Sequence, residues 1–122
     1  MQPYSFFSLG SMLLVSIQEE IGDVDMARLV DSLARQVRAG NIRGVIVDLQ
    51  HVEVMDSYMA GFLQTMARTL NLQNARMVVV GLAVPVVMTL TAFGITFKDM
   101  EFALDVEKAV AKLDEKPRAR AE

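Results

Sequence analysis

Two short, uncharged, β-branched runs constrain this chain more than any other feature. Val45-Ile46-Val47 lies between Gly44 and Asp48, and Met77-Val78-Val79-Val80 leads into Gly81. Continuous apolar runs of this length suit strands covered on both faces, as in parallel sheets layered with helices. The segments between them carry a helical period. From Asp25 to Ala39, Met26, Val30, Leu33, Ala34 and Val37 form one apolar stripe, with Arg28, Asp31, Ser32, Arg35 and Arg38 largely off it. From Ser57 to Leu72, Met59, Phe62, Leu63, Met66 and Leu70 form another, and Asp56 is placed to cap that helix. Strands alternating with helices predict an α/β domain with a mostly parallel sheet and right-handed crossovers.

The flanking segments complete the order β-β-α-β-α-β-α-β-α. Tyr4–Leu9 and Met12–Gln18 read as strands joined by Gly10-Ser11, a pair suited to a tight hairpin turn. Leu13, Val15 and Ile17 should point to the core, and the hairpin makes the sheet mixed. Glu19, Glu20, Gly22, Asp23 and Asp25 form an acidic connection feeding a helix N-terminus, and Gly40 is the expected stop of that helix. Pro85 fits the first turn of a third helix, with Val86, Val87, Leu90 and Phe93 packing and Gly94 ending it. Ile95–Phe97 is the expected last strand. Asp105 then caps a fourth helix that packs through Val106, Ala109, Val110 and Leu113. With 122 residues the chain has room for one core. Residues 1–114 are expected to form one domain. Residues 115–122, charged and containing Pro117, are expected to be a disordered tail.

Composition narrows the chemistry. The net charge of −3 offers no basic face for nucleic acid. The absence of cysteine excludes disulfides, thiolate zinc sites and cysteine nucleophiles. His51 is the only histidine, so a Ser-His-Asp triad lacks its usual base. The uncharged stretch Met77–Phe97 is long enough to span a bilayer, but Gly81, Pro85 and Gly94 divide it into strand, turn, helix and stop. The first basic residue is Arg28, so the apolar N-terminus lacks the charged start of a secretory signal. A cytoplasmic protein without a membrane span is expected.

Few residues remain for a site. Gly81-Leu82-Ala83 lacks the further glycines and lysine of a phosphate loop. Asp48, Glu53 and Asp56 gather after a parallel strand, where α/β proteins place their sites. They could hold a hard cation, or serve as a cap and solvated loop charges. No cofactor is expected. Asp56-Ser57 places a hydroxyl at the first turn of the second helix. A phosphate there would meet free backbone amides and the positive end of the helix dipole.

These residues also carry a resemblance. Gly44-Val45-Ile46-Val47-Asp48-Leu49, then Val52, then Met55-Asp56-Ser57, resembles the signature of STAS domains, the anti-sigma-factor antagonist fold. Gly81-Leu82, Pro85-Val86-Val87, Thr89-Leu90 and Phe93-Gly94-Ile95 resemble the stressosome branch of that family. After the serine stands Tyr58-Met59-Ala60-Gly61, which departs from the Ser-Gly-Leu-Gly common in direct anti-sigma-factor antagonists. The resemblance implies a non-enzymatic scaffold with Ser57 as phosphoacceptor. It implies an RsbT-like switch kinase, held by the unmodified scaffold and released once Ser57 is phosphorylated. It also implies co-assembly with RsbR-type proteins and resetting by an RsbX-like phosphatase. Asp56, Tyr58, Met55 and Gly61 are the expected kinase-docking residues, although Met55 and Met59 also suit core filling. Alternatives are a direct anti-sigma-factor antagonist, a STAS accessory subunit of a lipid-transporting ABC system, and a small metal-dependent enzyme using the three carboxylates.

Overall fold

A computed structural model describes residues 3–18, 21–95 and 99–115. The elements follow the expected order: β1 (Tyr4–Leu9), β2 (Met12–Ile17), α1 (Asp23–Gly40), β3 (Gly44–Asp48), α2 (Ser57–Leu72), β4 (Arg76–Val80), α3 (Val84–Ala92), β5 (Glu101–Ala103) and α4 (Val106–Asp114). They build one five-stranded sheet in the order β1-β2-β3-β4-β5. β1 and β2 are antiparallel, and the remaining pairs are parallel. Gly10, at φ +65, turns the two-residue hairpin that sets Leu9 opposite Met12.

The two-residue period of the strands sorts side chains between two cores. Leu13, Val15, Ile17, Val45, Val47, Met77 and Val79 face the larger one, with buried residues of α1, α2 and α3. Ile46, Val78 and Val80 point the other way and are covered by α4 through Ala109, with Val106, Val110 and Leu113 half-buried beside it. β3 and β4 are therefore apolar along their length because each face meets a helical layer. The uncharged stretch read as a possible span is divided between β4 and α3. No described helix is long and apolar enough to cross a membrane.

Several expectations need correction. Among the described residues the last strand is Glu101–Ala103, which pairs with Val78–Val80 of β4, and Ile95, the described part of the expected strand Ile95–Phe97, lies in no strand. Ile95 packs against the larger core, and residues 96 and 97 lie outside the described residues. The edge position of β5 is held by charge, since Arg76 Nε and Nη2 donate to the two carboxylate oxygens of Glu101 at 2.8 and 2.7 Å. α1 begins at Asp23, so both aspartates sit in its first turn, and it runs through Gly40. Asn41 takes the left-handed position that ends it, at φ +55, a conformation asparagine tolerates. Leu29, absent from the expected stripe, is buried in α1. In α3 only Val86 and Leu90 are buried, while Val87 and Phe93 are exposed. A helix apolar on nearly every side carries no signal for which side faces inward. The expected tail falls almost wholly on residues 116–122, outside the described residues.

Candidate functional site

The loop from β3 to α2 is pinned before it reaches the serine. The Leu49 amide donates to the Val80 carbonyl at 2.9 Å, continuing the pairing of β3 and β4 by one residue. Asp48 is buried, and its two carboxylate oxygens accept from the backbone and side-chain amides of Gln50, both at 2.9 Å. Gly81 presses against the same turn. It adopts φ +74, and a Cβ there would lie 2.8 Å from the Gln50 nitrogen, so only glycine fits without displacing backbone. Val52 and Met55 then bury their side chains in the larger core.

Asp56 follows with extended backbone. Its Oδ1 accepts from the Met59 amide at 2.8 Å, and its carbonyl accepts from the Ala60 amide at 3.1 Å. Ser57 is thus the first residue of a capped helix, anchored below by Met59, Ala60, Leu63, Met66, Ala67 and Leu70. Ser57 is exposed. The amides of Ser57 and Tyr58 precede the first helical acceptor, so no carbonyl within α2 can take them. An added phosphate would find these donors at the positive end of the dipole, and no acidic residue follows in the first turn.

The expected docking residues divide into two groups. Asp56, Tyr58 and Gly61 are exposed, with Tyr58 at 66%. Ser57 and Gly61 are four residues apart and share a face of α2. A Cβ at Gly61 would meet nothing within 4 Å, so no packing within the chain calls for glycine there. Met55 is the exception. At 3% exposure it fills the core and supports the surface from beneath. Val54, which sequence reasoning passed over, is 76% exposed instead. Val52, Val54 and Met55 give no clear alternation in sequence, so which of them turns outward is settled by the pinned loop.

The carboxylates do not form a metal centre. Among the described residues there is no group of three His, Cys, Asp or Glu side chains able to hold an ion. Asp48 is engaged by Gln50 and Asp56 by its own helix. His51 and Glu53 are exposed in the loop. The Asp48–Gln50 spacing is the signal that could have exposed the clamp, since an aspartate commonly binds the backbone two residues on.

The chain belongs to the STAS domain family, whose model matches residues 8–109. Among solved structures it is similar to a serine-to-glutamate variant of RsbS from Moorella thermoacetica, with a TM-score of 0.81 and 24% identity over 90% of this chain and 93% of that one. It is similar to a chain from the molecular architecture of the stressosome, a signal integration and transduction hub, with a TM-score of 0.80 and 25% identity over 89% of this chain and 95% of that one. The phosphorylated form of the Bacillus cell fate determinant SpoIIAA shares the fold, with a TM-score of 0.70 and 14% identity over 90% of this chain and 98% of that one. No curated protein matches the sequence.

Proposed function

We propose that this chain is a non-enzymatic scaffold and phospho-switch of the stressosome type. In the unmodified state the start of α2 holds an RsbT-like serine/threonine kinase against Asp56, Tyr58, Gly61 and the neighbouring Val54. The kinase transfers phosphate to Ser57 and is then released. RsbR-type STAS proteins co-assemble with the chain, an RsbX-like phosphatase resets it, and the whole acts in the cytoplasm in stress signalling.

The observation that carries this reading is the exposed Ser57 at the first position of a rigid, Asp-capped helix. The hydroxyl is a substrate here, and the kinase supplies nucleotide, Mg²⁺ and base. Release follows from electrostatics. The phosphate adds about −1.5 to −2 charges within a docked surface and beside Asp56. Each 1.4 kcal/mol of resulting penalty is a factor of about ten in affinity. Similarity to RsbS and to the stressosome chain supports the assembly part of the reading.

The test is calorimetric titration of the RsbT-like kinase with Ser57→Ala and Ser57→Asp. Ser57→Asp is expected to bind at least about tenfold more weakly. Both variants should unfold within about 1 kcal/mol of the unsubstituted chain, because an aspartate at this position suits the dipole. Equal affinities would overturn a charge-driven release. A mixture with an RsbR-type partner should sediment as a particle far larger than either protein alone, and two unshifted peaks would remove the scaffold role.

A further inference from the structure

The turns that carry α1 into β3 and α2 into β4 repeat a three-residue pattern. Asn41-Ile42-Arg43 follows one helix and Asn74-Ala75-Arg76 the other, each reaching the start of a strand. Both asparagines are left-handed, at φ +55 and +59. Glycine is the usual residue in that conformation, because it has no Cβ to strain. The turns would form as well with glycine, so neither needs its amide side chain. Main-chain bonds set the two arginines in adjacent positions. The Arg76 amide donates to the Arg43 carbonyl at 3.0 Å, and the Arg43 amide to the Ser11 carbonyl at 2.8 Å.

Both asparagines and both arginines line one cleft of about 830 Å³, within the size range of small-molecule sites. The cleft lies where β3 and β4 begin, at the end of the sheet opposite Ser57. Met12, Ile42 and Leu113 give it apolar surface, and Asp114 and Glu115 line it from the end of α4. Its charges are unequally engaged. Arg76 is held by Glu101 through two hydrogen bonds. The side chains of Asn41, Arg43, Asn74, Asp114 and Glu115 make no hydrogen bond or ion pair with the described residues. A simple anion drawn to Arg43 would be repelled by the two carboxylates, and a simple cation drawn to these would be repelled by the guanidinium. A molecule that carries both signs, correctly placed, meets neither penalty.

We propose that this cleft binds a free amino acid with a cationic side chain, of the lysine or arginine class. Its carboxylate lies between the Arg43 guanidinium and the side-chain amides of Asn41 and Asn74, whose N–H groups donate to it. Its ammonium group and cationic side chain lie toward Asp114 and Glu115, and its methylenes rest on the apolar surface. One unpaired guanidinium and two unpaired carboxylates call for one negative and two positive charges, which is the charge set of such a ligand. The second asparagine is explained in the same way as the first, by an amide that the ligand uses and the turn does not. The site is independent of the kinase reading, and Ser57→Asp should leave it unchanged.

Titration of the isotope-labelled full chain with L-lysine, and separately with L-arginine, tests it through backbone amide chemical shifts at neutral pH. Saturable shifts are expected at Arg43, Gly44, Asn74 and Arg76 with a dissociation constant below about 10 mM, while the amides of Ser57 and Tyr58 stay in place. L-lysine methyl ester lacks the carboxylate and L-glutamate brings the wrong side chain, so each should bind at least about tenfold more weakly. Asn41→Gly and Asn74→Gly keep the left-handed turns and should retain the fold, yet each should lower the affinity at least about threefold. Arg43→Met keeps an apolar stem and should lose at least about tenfold; if it does not fold, the two glycine variants carry the test. The proposal is overturned by no saturable shift with either amino acid up to about 50 mM, or by equal shifts with potassium phosphate or the methyl ester. Full affinity in all three variants, the result expected of plain helix caps and a solvated arginine, would overturn it as well.

Discussion

Two helices of this molecule begin in nearly the same way and differ in what they can do. Asp56 before α2 and Asp105 before α4 both stand in extended backbone, and the Oδ1 of each accepts from the amide three residues on at 2.8 Å. Their carbonyls accept from Ala60 and Ala109 at 3.1 and 3.0 Å. Behind Asp105 stand Val106 and Glu107, which offer no acceptor hydroxyl and meet any anion with a carboxylate. Behind Asp56 stand Ser57 and Tyr58, and the first turn of α2 holds no acid. The cap makes a helix start rigid in either place. Only the residues after it make one of the two suitable for phosphate.

The largest expected effect lies in what supports each helix. Gly81→Ala should destabilise the protein by about 3 kcal/mol, since it combines a left-handed φ with a backbone clash beneath the α2 loop. Gly44→Ala meets only the end of the Leu113 side chain under α4, which can swing aside, so about 1 kcal/mol is expected. Urea denaturation reads both, and equal losses would break the distinction. Removing the caps should cost the same on either side. Asp56→Ala and Asp105→Ala should each lose about 1 kcal/mol, yet only Asp56→Ala should weaken kinase binding.

Gly61→Ala sharpens the contrast further. Glycine inside a helix costs roughly 0.5–1 kcal/mol relative to alanine, and nothing within the chain fills the space at Gly61. The substitution should therefore raise stability by that amount while lowering kinase affinity. A gain in both would remove Gly61 from the docking surface. The smallest effect belongs to the α4 side. Hydrogen bonds from Arg76 hold the Glu101 carboxyl below its ordinary range, against the opposing effect of burial. A carboxylate lowered in this way stabilises the fold above its ordinary pKa and loses that contribution as pH falls through the lowered value. The pair is partly exposed, so about 0.5 kcal/mol should be lost on acidification. Glu101→Gln should flatten that portion of the stability–pH curve.

The legible parts of the chain were those where one local signal sufficed. Asp56 before an apolar stripe marks the start of α2, and the β-branched runs mark β3 and β4. β5 was hidden because Glu101-Phe102-Ala103 carries little strand signal and is placed by an ion pair from a strand 25 residues earlier. The outward turn of Val54 and the inward turn of Met55 were hidden for a related reason. They depend on the Asp48–Gln50 clamp and on Gly81, contacts between two loops that no local pattern reports. At α1 the stop was displaced by one residue because Asn41, not Gly40, takes the left-handed position.

Phosphate mapping by mass spectrometry, after incubation of the full chain with the RsbT-like kinase and ATP, tests the central claim most directly. One phosphate on Ser57, absent in Ser57→Ala and not gained at position 106 in Val106→Ser, is the expected result. No incorporation, or incorporation only at another residue, would contradict the account.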